Sequence, residues 1–339
     1  MIIISMLNTL EIKAGKIMKL IKTEDAVGHV LCHDMTQIIP GVTKDARFRK
    51  GHIVTEEDIP VLLSIGKEHL YVWEKTEGML HEDEGAERLR EITQNEHMHP
   101  SGVKEGKIEL IADTDGLFQV DVKRLYDVNS VDEIMIATRH TNTAVKKGDK
   151  LAGMRVIPLI IDEKKLEEAE KAAGTEPLLK VTPWKLKTAG VITTGSEVYK
   201  GLIKDQFTPV VEKKLEAYGI QMTQHVLCSD DMQMITQAIA DMRSAGVDLI
   251  ICTGGMSVDP DDKTPGAMLC LGYFEDGTPI VGLPGCVMYA KATVFDLILP
   301  RVAAGVELER RDIIQMGHGG LCLGCKECHY PVCPFGKEA

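Results

Sequence analysis

The chain has 339 residues, a net charge of −12 and nine cysteines. This length is enough for two domains of roughly 100–200 residues each. The acidic balance argues against a nucleic-acid partner, which requires a basic face, but it allows a small phosphorylated ligand held by backbone N–H groups and a divalent metal. Every stretch long enough to cross a bilayer contains charged residues, so the sequence predicts no membrane span.

The first residues, MIIISMLNTL, are apolar but have no basic segment before them and no small-residue cleavage site after them. They are a poor match to a signal peptide, and we therefore expect a cytoplasmic protein. Met18 is an alternative start to Met1, in which case residues 1–17 are an extension. Five scattered cysteines are interpreted as buried or partly buried thiols of such a protein: Cys32, Cys228, Cys252, Cys270 and Cys286.

Residues 18–160 are predicted to form a β-rich α+β domain. Within them, GKIELIADTDGLFQVD (106–121) has an Asp-Gly turn between two apolar runs, which is typical of a hairpin. Residues 161–182 are charged and Ala-rich, and they contain Gly-Thr-Glu-Pro. We interpret them as a solvated helix and linker at a domain boundary.

Residues 183–308 change to a pattern of strands alternating with helices. The run VDLIICT (247–253) is apolar from Leu249 to Cys252 and predicts a buried strand. Ile235, Ala238 and Ile239 fall at helical spacing and predict one of the intervening helices. Such alternation indicates an α/β domain whose parallel sheet is covered on both faces.

Three of these predicted strands end in glycine-containing loops. Ligands of parallel α/β sheets bind outside the carboxyl ends of the strands, glycine lets the backbone approach them closely, and N–H groups at helix starts favour anions. The three loops therefore predict a ligand-binding edge of the sheet. Their residues are Thr194, Gly195, Ser196 and Glu197; Thr253, Gly254, Gly255, Met256 and Ser257; and Leu283, Pro284, Gly285 and Cys286.

An acidic run, DPDD (259–262), follows the second loop, and Asp248 precedes its strand. One interpretation is that these carboxylates cap a turn and a helix start. The other is that one or two of them face the glycine loops and hold Mg²⁺ against a phosphate or an oxyanion, joined by Asp205 and Asp230 from neighbouring loops. The Lys-Ser/Thr pattern of a P-loop and the G-x-G-x-x-G of a dinucleotide fold are both absent from the sequence.

Residues 190–220, 228–268 and 280–302 carry a resemblance to a known family. In their order they resemble the molybdopterin-binding domain of molybdenum-cofactor biosynthesis proteins. That family includes gephyrin-like molybdopterin molybdenumtransferases, molybdopterin adenylyltransferases and competence/damage-inducible proteins. The resemblance implies a three-layer α/β/α domain with a mostly parallel sheet, which binds molybdopterin or its adenylylated form at the strand ends and associates into homo-oligomers.

The resemblance also implies roles for individual residues. Asp262 matches the acidic residue implicated in metal insertion or nucleotidyl transfer. The predicted catalytic residues are Asp262, Asp205 and Asp230. The predicted cofactor-binding residues are Thr194, Gly195, Ser196, Glu197, Thr253, Gly254, Gly255, Ser257, Thr264, Pro284 and Gly285. This chain departs from the family pattern at Ser196, Met256 and Cys286, which weakens the expectation of catalysis more than that of binding.

The last part of the chain, residues 316–339, is rich in cysteine. Four cysteines lie within it in a C-x₂-C-x₂-C-x₄-C pattern: Cys322, Cys325, Cys328 and Cys333. Four thiolates at this density predict a metal site, with Zn²⁺ and an iron–sulfur cluster as alternatives, and His318 or His329 could replace one thiolate. A tail of reactive thiols without a metal is the other interpretation.

The sequence therefore favours a protein that binds molybdopterin or adenylylated molybdopterin in cofactor biosynthesis or delivery, with insertion of molybdate into molybdopterin as its candidate activity. A different class remains open, namely a non-catalytic carrier or sensor whose tail docks onto a client molybdoenzyme. A nucleotide hydrolase of the competence/damage-inducible type is the third alternative. Neither a nucleic acid nor a membrane is expected as a partner.

Overall fold

The computed structural model describes residues 18–39, 43–73, 77–104, 106–254, 271–283 and 285–337. Their strands are β1 (Met18–Lys22), β2 (Met35–Ile39), β3 (Thr43–Phe48), β4 (His69–Trp73), β5 (Met79–His81), β6 (Met98–Pro100), β7 (Lys107–Ala112), β8 (Gly116–Val120), β9 (Ile134–Thr138), β10 (Thr143–Val145), β11 (Lys150–Val156), β12 (Ile160–Asp162), β13 (Leu179–Pro183), β14 (Thr188–Thr194), β15 (Gln221–Cys228), β16 (Leu249–Thr253), β17 (Leu271–Tyr273) and β18 (Pro279–Leu283). Their α-helices are α1 (Asp58–Ser64), α2 (Glu82–Thr93), α3 (Val122–Asn129), α4 (Glu163–Ala173), α5 (Ser196–Tyr199), α6 (Phe207–Glu216), α7 (Met232–Ser244), α8 (Val294–Ala303) and α9 (Arg310–Gln315). Across these ranges, none of the helices has the length and apolar character needed to span a bilayer.

The region from β1 to β4 has a small hydrophobic core of its own. β1 pairs antiparallel with β4, and β2 with β3, while α1 buries Leu62. The buried side chains of this core are Ala26, Leu31, Met35, Phe48, Val54, Leu62 and Leu70. The region predicted as one domain at residues 18–160 therefore begins with a separately packed part.

A second core extends from β5 to β13. β8 lies between β10 and β13 in one sheet, and β7 and β11 are the middle strands of a four-stranded sheet. The two sheets and helices α2, α3 and α4 bury one common cluster that includes Phe118, Leu89 and Leu166. The β-rich character predicted for this half follows from these short antiparallel strands. The hairpin predicted at residues 106–121 is wrong, because its two strands, β7 and β8, belong to different sheets.

Residues 161–182 contain the predicted helix, but this helix packs into the second core and is not solvated. Most of the segment forms α4 and part of β13, and β13 pairs with β8. Leu166, Ala169 and Ala173 share one face of α4 and are fully buried in the second core. Three apolar residues at helical spacing are enough to bury one face of a helix whose other positions are charged.

The C-terminal half is built on a five-stranded sheet with the order β15-β14-β16-β18-β17. All neighbouring pairs are parallel except β17 and β18, which are antiparallel. Side chains of α6 and α8 pack with Val191 and Ile251 on one face, and those of α7 pack with Ile192 and Cys252 on the other. The predicted α/β/α fold with a mostly parallel sheet is confirmed, because both faces of the sheet are covered by helices.

Candidate functional site

The carboxyl ends of β14, β16 and β18 lie together at one edge of the sheet. Thr193 pairs with Thr253, and Thr253 pairs with Leu283, so the three strands end in register. The Thr194 hydroxyl donates a hydrogen bond to the Thr253 carbonyl at 3.0 Å. The structure therefore brings together the starts of the three loops that the sequence selected.

The two central loops approach so closely that glycine is required. Gly254 has a φ of +83°, and a Cβ at this position would lie 2.4 Å from the Thr194 carbonyl oxygen. Gly195 has a φ of +140°, and its N–H donates to the Cys228 carbonyl at 3.2 Å. Both conformations lie in the region that residues with a side chain adopt only rarely.

Asp230 bridges the loop after β15 to the loop after β14. Its Oδ2 accepts a hydrogen bond from the Ser196 N–H at 2.8 Å. The neighbouring Asp231 instead accepts from the Met234 N–H at 2.8 Å and caps α7. The Asp230 carboxylate thus already accepts the hydrogen bond of the Ser196 N–H, which the sequence predicts to bind an anionic ligand. A phosphate at Ser196 would have to displace this carboxylate.

Asp205 is engaged at both carboxylate oxygens. Its Oδ1 accepts from the N–H groups of Phe207 at 2.8 Å and Thr208 at 3.1 Å, at the start of α6. Its Oδ2 accepts from the hydroxyls of Thr208 and Thr193. These contacts place Asp205 as the cap of α6, which is the structural alternative to a role toward a metal.

A histidine that the sequence analysis did not select lies in the same cluster. His225 Nε2 is 3.0 Å from the Thr208 hydroxyl, 3.1 Å from the Thr193 hydroxyl and 3.3 Å from Asp205 Oδ2. Its side chain is about one-third exposed, on the edge strand β15. Its place opposite Val191 depends on the register of β15, which the sequence does not specify.

The electrostatics of Asp205 follow from these neighbours. Burial raises the pKa of its carboxyl, but the hydrogen bonds from Thr208 and from the Phe207 N–H, together with nearby His225, outweigh burial and hold the pKa below its usual value. Asp205 is therefore ionised at neutral pH, where it stabilises the start of α6.

We expect Asp205→Ala to lower the free energy of unfolding by about 1–2 kcal/mol at neutral pH, because it removes a helix cap and leaves hydroxyls without an acceptor. The pKa is lower in the folded than in the unfolded chain, so the stabilisation is present above the unfolded-state pKa and is lost as the pH falls through the folded-state pKa. The difference from the parent should therefore shrink in acid. Urea unfolding at several pH values measures it.

Glu216→Ala is the matched control, since Glu216 is an exposed residue at the end of the same helix. It should leave the free energy of unfolding within about 0.5 kcal/mol of the parent at every pH. An Asp205→Ala variant that behaves in the same way would show that this cluster does not stabilise the domain.

Thr253 contributes an unpartnered hydroxyl at the end of the central strand. The residue is fully buried, and its Oγ1 has no hydrogen-bond partner within the part of the chain that the structure describes. Buried polar groups are nearly always satisfied, so a partner for this hydroxyl is expected from outside the described residues. A polar ligand at the sheet edge is one such partner.

Several predicted site residues lie outside the described ranges. They are Gly255, Ser257, Asp262, Thr264 and Pro284. Of the remainder, Glu197 is exposed within the short helix α5, and Gly285 is exposed at the start of a 3₁₀ turn, Gly285–Met288. The functional roles assigned to all of these residues stay predictions.

Asp248 belongs to the opposite edge of the sheet. Its Oδ2 accepts from the N–H groups of Lys187 at 2.8 Å and Thr188 at 2.9 Å, and its own N–H bonds to the Thr188 hydroxyl. It therefore joins the starts of β14 and β16. Its carboxylate lies at the other end of these strands from the glycine loops.

The cysteines whose side chains the structure describes fall into two groups, while the predicted burial of Cys270 and Cys286 lies outside the described side chains. Cys32, Cys228 and Cys252 are buried, and burial raises the pKa of Cys252 to about 12. Cys322, Cys325 and Cys328 are exposed, and Cys333 is partly exposed. Among the residues with a described position, no three metal-ligating side chains come close enough to hold a metal ion. The metal site at residues 316–339 stays a prediction.

A cleft of about 450 Å³ lies between the second core and the C-terminal tail. Its lining includes Arg139, Arg301 and Lys337. None of the predicted site residues lines it. The cleft is therefore separate from the strand-end edge.

Comparison with known families supports the assignment of the sheet region. Residues 190–273 match the family described as "Probable molybdopterin binding domain". Residues 20–74 match DUF8806, a domain of unknown function. Similar curated proteins are the CinA-like proteins of Mycobacterium leprae (strain TN), 33% identical, and Mycolicibacterium vanbaalenii, 36% identical, each over 76 residues. Each match covers 22% of this chain, and this chain spans only 18% of the length of either relative.

Solved structures similar to part of the chain include three proteins. A molybdopterin biosynthesis protein from Mycobacterium abscessus is 19% identical, with a TM-score of 0.31, and the match covers 40% of this chain and 98% of that one. The tungsten cofactor synthesizing protein MoaB from Pyrococcus furiosus is 17% identical, with a TM-score of 0.28, covering 40% and 96%. CinA, of unknown function, from Thermoplasma acidophilum is 18% identical, with a TM-score of 0.30, covering 34% and 98%. The match to the probable molybdopterin-binding domain therefore covers residues 190–273, the segment that runs from β14 to β17.

Proposed function

We propose that the sheet edge formed by Thr194, Gly195, Thr253 and Gly254 binds molybdopterin or adenylylated molybdopterin, and that the protein acts in molybdenum-cofactor biosynthesis or delivery. The observation that carries the proposal is the convergence of two glycine loops beside the buried, unpartnered hydroxyl of Thr253. It is supported by the family match of the segment that contains this edge.

The phosphate of such a ligand needs hydrogen-bond donors at the edge. The Thr253 hydroxyl can donate directly, and the Ser196 N–H becomes a second donor once the Asp230 carboxylate moves away. The two glycines allow the backbone to approach the ligand without steric hindrance. The residues present therefore fit a small anionic ligand whose binding displaces Asp230.

Mg²⁺ is proposed as the metal that offsets the charge of phosphate or molybdate. Asp230 Oδ1 accepts no hydrogen bond within the described ranges, so this oxygen is available as a ligand once the side chain moves. Asp262 is the second proposed ligand, by its resemblance to the family residue. Asp205 would have to give up its cap of α6 to take part, because both of its oxygens are engaged.

A non-catalytic carrier of the finished cofactor is the second candidate function. The engagement of Asp205 favours it, because a carboxylate held by two backbone N–H groups and two hydroxyls is positioned to stabilise the fold. In this role the same edge would bind the cofactor, and a client molybdoenzyme would receive it.

We expect the purified full chain to bind molybdopterin, with Asp262→Asn retaining binding but losing molybdate insertion if the protein is the enzyme. The loss follows because an amide is a much weaker ligand than a carboxylate for Mg²⁺. Pterin fluorescence after oxidation measures bound ligand, and molybdenum analysis of the ligand measures insertion, both with and without Mg²⁺. The parent would show binding without turnover if it is a carrier, and it would release phosphate from a nucleotide if it is a hydrolase.

Asp241→Asn, on the exposed face of α7, is the matched control and should leave binding and turnover unchanged. A parent chain that binds neither molybdopterin nor its adenylylated form, in the presence or absence of Mg²⁺, would contradict the proposal.

A further inference from the structure

We propose that the loop from Gly319 to Gly336 is a metal-binding loop, in which the thiolates of Cys322, Cys325, Cys328 and Cys333 together hold one metal centre. This inference does not depend on the proposed function. It follows from how the loop is anchored, from the exposure of its thiols and from the spacing of its cysteines.

The two ends of the loop are joined. The Gly336 N–H donates to the Gly319 carbonyl at 2.9 Å. Both residues have positive φ values, +73° for Gly319 and +68° for Gly336. A Cβ on Gly336 would lie 2.4 Å from Leu297, so the base of the loop packs directly against α8. The segment that carries all four cysteines is thus closed and held on the domain.

Two further contacts hold the loop between its ends. Lys291 Nζ donates to the carbonyl of Lys326, which lies between the second and third cysteines, at 3.0 Å. The Tyr330 hydroxyl donates to the carbonyl of Asp296, and the Tyr330 ring packs edge-on against buried Phe335 with ring centres 6.2 Å apart. The loop is therefore attached to the domain at Lys326 and Tyr330 as well as at its two ends, through contacts that do not use a thiol as a hydrogen-bond partner.

Most of the loop thiols are not packed against the protein, and only Cys333 is partly buried. Three of them are exposed, in contrast to the buried Cys32, Cys228 and Cys252. Apolar neighbours of the cysteines are exposed as well: Leu321 and Leu323 at 78% and Val332 at 82%. A metal that draws the thiols together would bring these side chains around it, and an apolar shell of this kind controls solvent access to a metal site.

The spacing suits chelation by one short segment. C-x₂-C pairs recur in zinc sites and in iron–sulfur sites, and the C-x₂-C-x₂-C run followed by Cys-Pro differs from the bacterial ferredoxin run by one residue. The described thiols are not yet gathered, which is ordinary for a site that assembles only when the metal binds. Zinc and an iron–sulfur cluster are the two alternative occupants, and both would be bound by the same four thiolates.

The test is metal analysis of the full chain purified without oxygen and without added metal. We expect about one centre per chain, measured as zinc alone, or as iron with an equal amount of acid-labile sulfide and visible thiolate-to-iron absorption. A variant with all four loop cysteines replaced by serine should lose essentially all of this metal. Cys32→Ala, which removes a buried thiol outside the loop, should keep it.

The four-serine variant is expected to fold, because three of the replaced thiols are exposed. Its circular dichroism and its pterin binding report on the rest of the chain separately from the loop, so the failure of this proposal and that of the proposed function are distinguishable. Retention of the metal by the four-serine variant would overturn the inference. So would a parent chain that holds neither zinc nor iron as purified and takes up neither after incubation with Zn²⁺ or with iron and sulfide.

Discussion

Leu166→Ala is expected to lower the free energy of unfolding by about 2–5 kcal/mol. Leu166 is fully buried between α4 and the rest of the second core, so truncation removes apolar contacts and leaves a cavity. Urea unfolding followed by circular dichroism measures the loss. The effect would be large because α4 completes a packed core.

Glu168→Ala is the control for this variant, because Glu168 lies on the exposed side of the same helix. We expect it to change the free energy of unfolding by less than about 0.5 kcal/mol. If Leu166→Ala also left the free energy of unfolding unchanged, α4 would be solvated, as its charged sequence suggests.

Gly254→Ala is expected to lower the free energy of unfolding by about 2–3 kcal/mol. The added Cβ would meet the Thr194 carbonyl at 2.4 Å, and the φ of +83° is strained for any residue with a side chain. The ends of β14 and β16 would have to separate to relieve the contact. Thermal and urea unfolding of the variant measure the effect.

Gly277→Ala is the control that separates the backbone strain of a positive φ from the steric contact with Thr194. Gly277 has nearly the same φ, +84°, but a Cβ there meets no atom within 4 Å. We expect a loss of about 1–2 kcal/mol, the usual effect of a side chain in the left-handed region. Equal losses in the two variants would show that the close approach of the two loops does not constrain position 254.

The sheet of the C-terminal half could be predicted because its central strands are buried on both faces. Such strands are continuous apolar runs, and Ile250 and Ile251 point to opposite faces yet are both fully buried. The helices between them showed helical spacing in the sequence because each packs an apolar face against the sheet. The helix α4 was predicted, but its burial was not, because only three residues form its apolar face and charged residues dominate its composition.

The glycine loops of the site could be predicted from the sequence, but the roles of its side chains could not. Gly254 leaves a clear signal because residues with a side chain rarely adopt its positive φ and because a Cβ there would meet the Thr194 carbonyl oxygen. A carboxylate leaves none, since Asp205 has the same sequence context whether it caps a helix or faces a ligand. His225 was missed because its neighbours are set by the register of β15, a property of the folded sheet.

The packing of α4 and β13 also determines where the chain can be divided. β13 ends at Pro183 as part of the first half, and β14 begins at Thr188 as part of the second. Only residues 184–187 lie between them. Any exchange of the two halves by gene fusion, or their separation by a protease, would therefore have to act within this short stretch. A cut between α4 and β13 would remove a strand from the N-terminal half, and a cut before α4 would remove that helix as well.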